Sequence, residues 1–220
     1  MKLPELKIGD KIAKMPIIQG GMAIRLSTAK LAAAVANSGG IGLIAASGMS
    51  LNELRNEIRL AKSLSNGVIG INAMVAARKF SDLVKTAISE GIDLVVAGAG
   101  FSRDMFGLGK ESNTPIVPIV SSIKLAKISE MLGASAVIVE GKEAGGHLGT
   151  DQSIKSLISG IKKAVNIPVI AAGGVMSGRD IVVLMKLGAD GVQMGTRFAA
   201  SEESNAAPAL KEFYVKAQAE

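Results

Sequence analysis

The feature that most constrains this chain is an alternation of two periodicities. Eight short runs rich in β-branched residues recur along it, most of them bounded by Gly or Pro and followed by a longer stretch with helical spacing. The runs are Met15 to Gln19, Ile41 to Ala45, Val68 to Asn72, Leu94 to Ala97, Ile116 to Val120, Ala136 to Glu140, Val169 to Ala172 and Gly191 to Met194. Amphipathic segments lie between them: Ser27 to Asn37, Leu51 to Leu64, Phe80 to Glu90, Ile123 to Leu132, Ser153 to Val165 and Ser177 to Leu187. Glu90-Gly-Ile-Asp93, Leu132-Gly-Ala-Ser135 and Leu187-Gly-Ala-Asp190 each put Gly where a helix gives way to a strand, a position that commonly needs left-handed backbone. Such a chain closes into a (β/α)₈ TIM barrel or spreads into an open doubly wound sheet. Eight units in 220 residues with no strong hairpin signal favour the barrel, as one domain spanning 1–220.

Composition narrows the function classes. With 48% hydrophobic residues the chain can bury a sizeable core, yet its apolar runs are far shorter than the roughly 18 residues of a membrane span. The start, Met1-Lys-Leu-Pro-Glu-Leu-Lys, has no apolar h-region, so a cytoplasmic location and no membrane partner are expected. The absence of Cys removes disulfides and thiolate chemistry, and a single His cannot build an imidazole metal site, so no metal is expected. The net charge of +6 is scattered over helix segments such as Leu54 to Lys62, and only 3% of residues are aromatic; a nucleic-acid partner is not expected.

Barrels of this kind carry function in the loops at the C-terminal ends of their strands. Here those loops are rich in Gly: Gln19-Gly20-Gly21-Met22, Gly98-Ala-Gly100, Gly141 to Gly149, Gly173-Gly174 and Gly195-Thr196. The seventh loop, Ala171-Ala-Gly-Gly-Val-Met-Ser-Gly178, leads into a helix, and Gln193-Met-Gly-Thr-Arg197 follows strand eight. Together they suit a phosphate held on backbone amides and a helix N-terminus, the alternative being two tight turns. After strand six, Glu140-Gly-Lys-Glu143-Ala-Gly-Gly-His147 places the sole imidazole among glycines, accessible and with an ordinary pKa suited to proton transfer near neutrality. Glu140 and Glu143 either hold Lys142 or ligand hydroxyls, or form a solvated salt bridge. Gln19 and Asn72 end strands one and three; their amides either cap loops or match the donor and acceptor edge of a ring such as isoalloxazine.

Six segments, Pro16-Ile-Ile-Gln-Gly-Gly-Met22, Asn37-Ser-Gly-Gly-Ile-Gly42, Gly70-Ile-Asn-Ala-Met74, Glu143-Ala-Gly-Gly-His147, Ile167-Pro-Val-Ile-Ala-Ala-Gly-Gly174 and Gln193-Met-Gly-Thr-Arg-Phe198, span the chain. In this order they resemble the nitronate monooxygenases, formerly 2-nitropropane dioxygenases, and equally the FMN-dependent enoyl-acyl-carrier-protein reductases of the same superfamily. The resemblance implies FMN as cofactor, with Gln19, Gly20, Gly21 and Met22 passing under or beside the flavin ring and Asn72 contacting it. It implies that Gly173, Gly174, Gly195 and Thr196 hold the phosphate and that His147 is the active-site histidine. Glu140, Gly145, Gly146, Ala172 and Gln193 complete the expected cofactor-binding set. In the family the chain continues into a smaller lobe over the active site. The expectation is therefore a barrel with that C-terminal lid region largely absent, either a fragment or a naturally reduced form, its pocket open or completed by another subunit in a homodimer.

The implied activity is oxidation of alkyl nitronates by O₂ to a carbonyl compound and nitrite, with His147 deprotonating a neutral nitroalkane or holding the anionic nitronate. The alternatives are an enoyl thioester reductase using NAD(P)H and a non-catalytic flavin-binding barrel. Gly98-Ala-Gly100 is not followed by the rest of a dinucleotide fingerprint, which weighs only slightly against NAD(P)H.

Overall fold

The computed structural model describes residues 3–98, 100–146 and 150–217. Two short strands, β1 (Leu6–Ile8) and β2 (Lys11–Ala13), precede the alternating core. That core runs β3 (Ile17–Gln19), α1 (Ala29–Asn37), β4 (Ile41–Ala45), α2 (Leu51–Leu64), β5 (Val68–Met74), α3 (Phe80–Ser89), β6 (Leu94–Gly98) and α4 (Asp104–Ser112). It continues through β7 (Ile116–Val120), α5 (Ile123–Leu132), β8 (Val137–Glu140), α6 (Ile154–Lys162), β9 (Val169–Ala172), α7 (Gly178–Lys186) and β10 (Gly191–Met194), and ends in α8 (Thr196–Ala199) and α9 (Pro208–Lys216).

Strands β3 to β10 close a parallel barrel, because Val192, Gln193 and Met194 of the last strand pair with Ile17, Ile18 and Gln19 of the first. The fold is a TIM barrel, and this closure rules out the open sheet. Side chains alternate across each strand. Ile18, Leu43, Leu94, Val96, Val117, Ile138 and Ile170 fill the barrel interior, while outward residues such as Ile44, Ile71, Val95, Val139 and Val192 pack under the helices. The alanine-rich α1 lies so close to β4 that a Cβ at Gly42 would stand 2.0 Å from the Ala32 carbonyl oxygen.

Local signals explain the helix limits. Ser50 and Glu53 form a capping box on α2, Ser177 and Asp180 another on α7, and Ser122 and Ser153 cap α5 and α6. The glycines expected at helix ends, Gly91, Gly133 and Gly188, all adopt positive φ (71°, 103° and 109°). Two aspartates that follow such turns staple the barrel's lower end: Asp93 accepts the Ile69 N–H and Asp190 the Val169 N–H, each at 2.8 Å.

The sequence reading missed three features. β1 and β2 form an antiparallel hairpin around Gly9 and Asp10, and its Leu6, Ile8 and Ala13 plug the N-terminal end of the barrel interior. α4 was hidden by its two glycines; Gly109 is required because a Cβ there would lie 2.3 Å from Ile116 Cγ1. After β10 the chain forms the four-residue α8 and then α9, in which no residue is buried. Among the described residues no helix is long and apolar enough to cross a membrane.

Candidate active site

Strand register sets the floor of the C-terminal mouth. Glu140 and Gln193 both lie level with Ala172 across the β8–β9–β10 ladder, and Asn72 on β5 lies level with Ala45 and Val96. These positions face inward, where a polar side chain loses water and needs a partner. Among the described residues two oxygens have none: Asn72 Oδ1 and Gln193 Oε1 are buried without a hydrogen bond. The orientation of Asn72 is fixed, because its Nδ2 donates to the Gly21 carbonyl at 3.1 Å.

Gln19 behaves differently from its chemical twin. It is fully buried; its Nε2 donates to Ser27 Oγ at 2.9 Å and to the Gly20 carbonyl, and its Oε1 accepts the Leu43 N–H at 3.0 Å. The expectation that this amide faces a ligand edge gives way to a scaffold role. Gly20 follows, its N–H on the Met194 carbonyl at 2.8 Å. Gly21 backs onto Asn72 so tightly that a Cβ would come within 2.2 Å of Asn72 Cβ. Met22 faces Gly195, its Sδ 3.8 Å from where a Cβ would sit.

The glycines of the seventh and eighth loops separate by cause. Gly173 (φ 109°) and Gly174 (φ 65°) pack on the β8 loop, where Cβ atoms would meet Ala144 N at 2.8 Å and Glu143 Cβ at 3.1 Å. Gly195 has negative φ, and Met22 is the nearest neighbour a Cβ there would meet, so backbone geometry does not demand glycine. It leaves a bare approach to the start of α8, which has no side-chain cap. At the N-terminus of α7, expected to share in phosphate binding, the capping box takes the Met176, Ser177 and Asp180 N–H groups. Asp180 accepts from the Met176 and Ser177 N–H groups and from Ser177 Oγ, and these bonds hold its carboxyl below the usual aspartate range.

Glu143 has a structural partner: its Oε2 accepts the Ile154 N–H at the start of α6 at 3.0 Å. Glu140 points its carboxylate toward Gly146, whose Cβ would lie 3.7 Å from Oε1, and Gly145 has open space around it. His147 lies outside the described residues. Among the described residues no cluster of three His, Cys, Asp or Glu could hold a metal. A cavity of about 370 Å³ beside Gly9, Lys110, Asn113 and Ser135 sits at the opposite end of the barrel, away from the unpartnered amides.

Sequence reasoning missed Ser27, which is fully buried and bonds Gln19, Gly20 and Met22. Its place just before an apolar-periodic stretch reads as a helix start, which conceals this role.

Comparison with known proteins agrees with the architecture. FabK from Thermotoga maritima superposes with a TM-score of 0.90 at 42% identity, covering 93% of this chain and 65% of that one. A nitroalkane oxidase from Streptomyces ansochromogenes superposes with a TM-score of 0.84 at 28% identity, covering 91% and 70%. A "Probable nitronate monooxygenase" of Staphylococcus aureus is 31% identical, covering 92% of this chain and 70% of that protein. A (3aS,4S,5R,7aS)-5-hydroxy-7a-methyl-1-oxo-octahydro-1H-indene-4-carboxyl-CoA dehydrogenase of Mycobacterium tuberculosis is 34% identical over 92% of this chain, which spans 57% of that protein's length. The family model described as nitronate monooxygenase matches residues 6–220, and the chain belongs to the nitronate monooxygenase family.

Proposed function

We propose that the protein is an FMN-dependent oxidoreductase that oxidises small alkyl nitronates with O₂ to a carbonyl compound and nitrite. Family membership supports the reaction class, and the names of relatives, monooxygenase, oxidase and dehydrogenase, are all those of oxidoreductases. The observation that carries the cofactor reading is the pair of buried, unpartnered acceptors, Asn72 Oδ1 and Gln193 Oε1, at the barrel mouth. Acceptors so placed need donors, and FMN brings the single N–H of its oxidised ring together with the hydroxyls of its ribityl chain. Bound there, FMN supplies the reversible electron acceptor that no side chain can provide.

The residues of the chain have separate tasks in this reading. Asn72 and Gln193 orient the ring, Gly20, Gly21 and Met22 form the wall beside it, and Ala172, Gly145 and Gly146 leave room around it. Gly195 and Thr196 offer backbone amides to the phosphate, with Gly173 and Gly174 shaping the adjoining turn. Glu140 lines the same level of the mouth, and His147 handles the proton, removing it from the carbon of a neutral nitroalkane or holding an already anionic nitronate.

A thioester-directed reading has its own support in the carboxyl-CoA dehydrogenase of similar sequence. In it an enoyl thioester is reduced with NAD(P)H. One experiment tests both. The purified protein should show an oxidised-flavin spectrum that bleaches anaerobically with a nitronate and not with NADH. Rapid bleaching by NADH alone would favour the reductase, and a colourless protein that cannot be loaded with FMN would refute the cofactor assignment.

A further inference from the structure

Strand β3 leaves the barrel early. It pairs with β4 at one register position, Ile18 with Ile41, whereas β4 pairs with β5 at five. The β4 amides further along still need acceptors. They find them in a substitute ladder: Leu43 N–H donates to Gln19 Oε1 at 3.0 Å, and Ala45 N–H to the Ser27 carbonyl at 2.9 Å. The segment from Gly20 to Met22 is thereby released from strand pairing and bends across the mouth.

Asn72 Nδ2 holds the Gly21 carbonyl and the Met194 carbonyl takes the Gly20 N–H, and one hydroxyl ties the two ends of the segment together. Ser27 Oγ accepts from Gln19 Nε2 and from the Met22 N–H, both at 2.9 Å, and donates to the Gly20 carbonyl at 3.1 Å. One donor and two acceptor sites are the whole capacity of a hydroxyl, and all are used in a fully buried position. The backbone adds a further bond, Ser27 N–H to the Met22 carbonyl at 3.2 Å. Because β10 holds β3 through three backbone register pairs, the barrel does not depend on this hydroxyl for closure. The bonds it makes serve the shape of Gly20, Gly21 and Met22.

We propose that Ser27 is a positioning residue, whose hydroxyl fixes the Gly20–Met22 wall for flavin binding; the inference rests on the cofactor reading above. With Ser27→Ala, the Met22 N–H and Gly20 carbonyl lose a shared partner while Asn72, Gln193 and Gly195 are untouched. The test titrates FMN into the apo-protein of wild type, Ser27→Ala and Ser27→Thr, reading flavin fluorescence quenching and visible circular dichroism, with far-UV circular dichroism and melting as folding controls. The Ala variant should stay folded, bind FMN about tenfold more weakly and change the visible dichroism of the bound flavin, while Thr restores binding to within about threefold. If Ala does not fold, the size-matched Ser27→Cys, a poor hydrogen-bonding group, decides by the same criteria. Wild-type affinity in a folded Ala or Cys variant, whatever its melting temperature, overturns the inference, as does a folded Thr variant as weak as Ala. Wild-type protein that takes up no FMN overturns the cofactor reading and this inference with it. Normal wild-type uptake with an indifferent Ser27→Ala overturns this inference alone.

Discussion

Gly174 and Gly195 both precede functional loops, yet the structure predicts opposite outcomes for replacing them with Ala. Gly195 has φ −109°, and the nearest atoms a Cβ would meet are Met22 Sδ and Cγ at 3.8 and 3.9 Å, an ordinary contact. Removing glycine's freedom in the unfolded chain should stabilise the apo-protein by about 0.4–1 kcal/mol. In the proposed phosphate assignment the same methyl stands against the phosphate on the α8 amides. Losing one or two hydrogen bonds to a charged phosphate, at about 1.5–3 kcal/mol each, weakens FMN by roughly tenfold or much more. Gly174 has φ 65°, where a side chain costs about 1–2 kcal/mol, and its Cβ would press on Glu143 Cβ at 3.1 Å. For a domain of this length that lowers the apo melting temperature by about 2–8 °C. Apo melting and FMN titration on both variants separate the cases. A Gly195→Ala variant with wild-type FMN affinity would refute the phosphate assignment, and a Gly174→Ala variant that melts with wild type would refute the strain argument.

Two further outcomes follow from single contacts and a third from the proposed proton handling. The Asp180 carboxyl is depressed first by the Ser177 hydroxyl and then by two backbone N–H groups, so its contribution to stability is complete above about pH 4 and is lost as the pH falls further; Asp180→Asn should therefore flatten the acid limb of a melting-versus-pH curve, and an unchanged limb would contradict this. Asp190→Ala leaves the Val169 N–H without its acceptor and Lys162 without its partner at 2.7 Å, and should cost about 1–3 kcal/mol in urea unfolding; a loss under about 0.5 kcal/mol would show the staple to be idle. His147→Ala should keep FMN and lose at least about a hundredfold with a neutral nitroalkane but less with a preformed nitronate, and rates within about threefold of wild type on every substrate turned over would make the residue structural.

The barrel was legible because its signals are local. Each β-branched run and each helix end at Gly91, Gly133 and Gly188 depends on residues a few positions apart. What was missed broke local rules for tertiary reasons. α4 carries glycines that only its packing on Ile116 explains, and the hairpin's three-residue strands are stabilised by the barrel interior they plug. Its Gly9-Asp10 turn between Leu-Lys-Ile and Lys-Ile-Ala was nonetheless a readable hairpin signal, since Gly at the first central position suits a two-residue loop.

The candidate site was legible by location and not by role. Gln19, Asn72 and Gln193 are chemically alike and all stand near strand ends, so no local pattern ranks them. Their partners decide, and those come from Ser27, Leu43 and Gly21, up to 51 residues away. The same reading ties one oxygen of Glu143 to the start of α6. Among the described residues what survives is asymmetric: two acceptor oxygens on the β5 and β10 walls and an uncapped helix start beyond Gly195. A ligand that satisfies this mouth must present N–H or O–H donors toward Asn72 and Gln193 and an anion toward α8. A carboxylate substrate alone could meet the second demand and not the first; a planar ring with one N–H, joined to a phosphate by a hydroxylated tether, meets both.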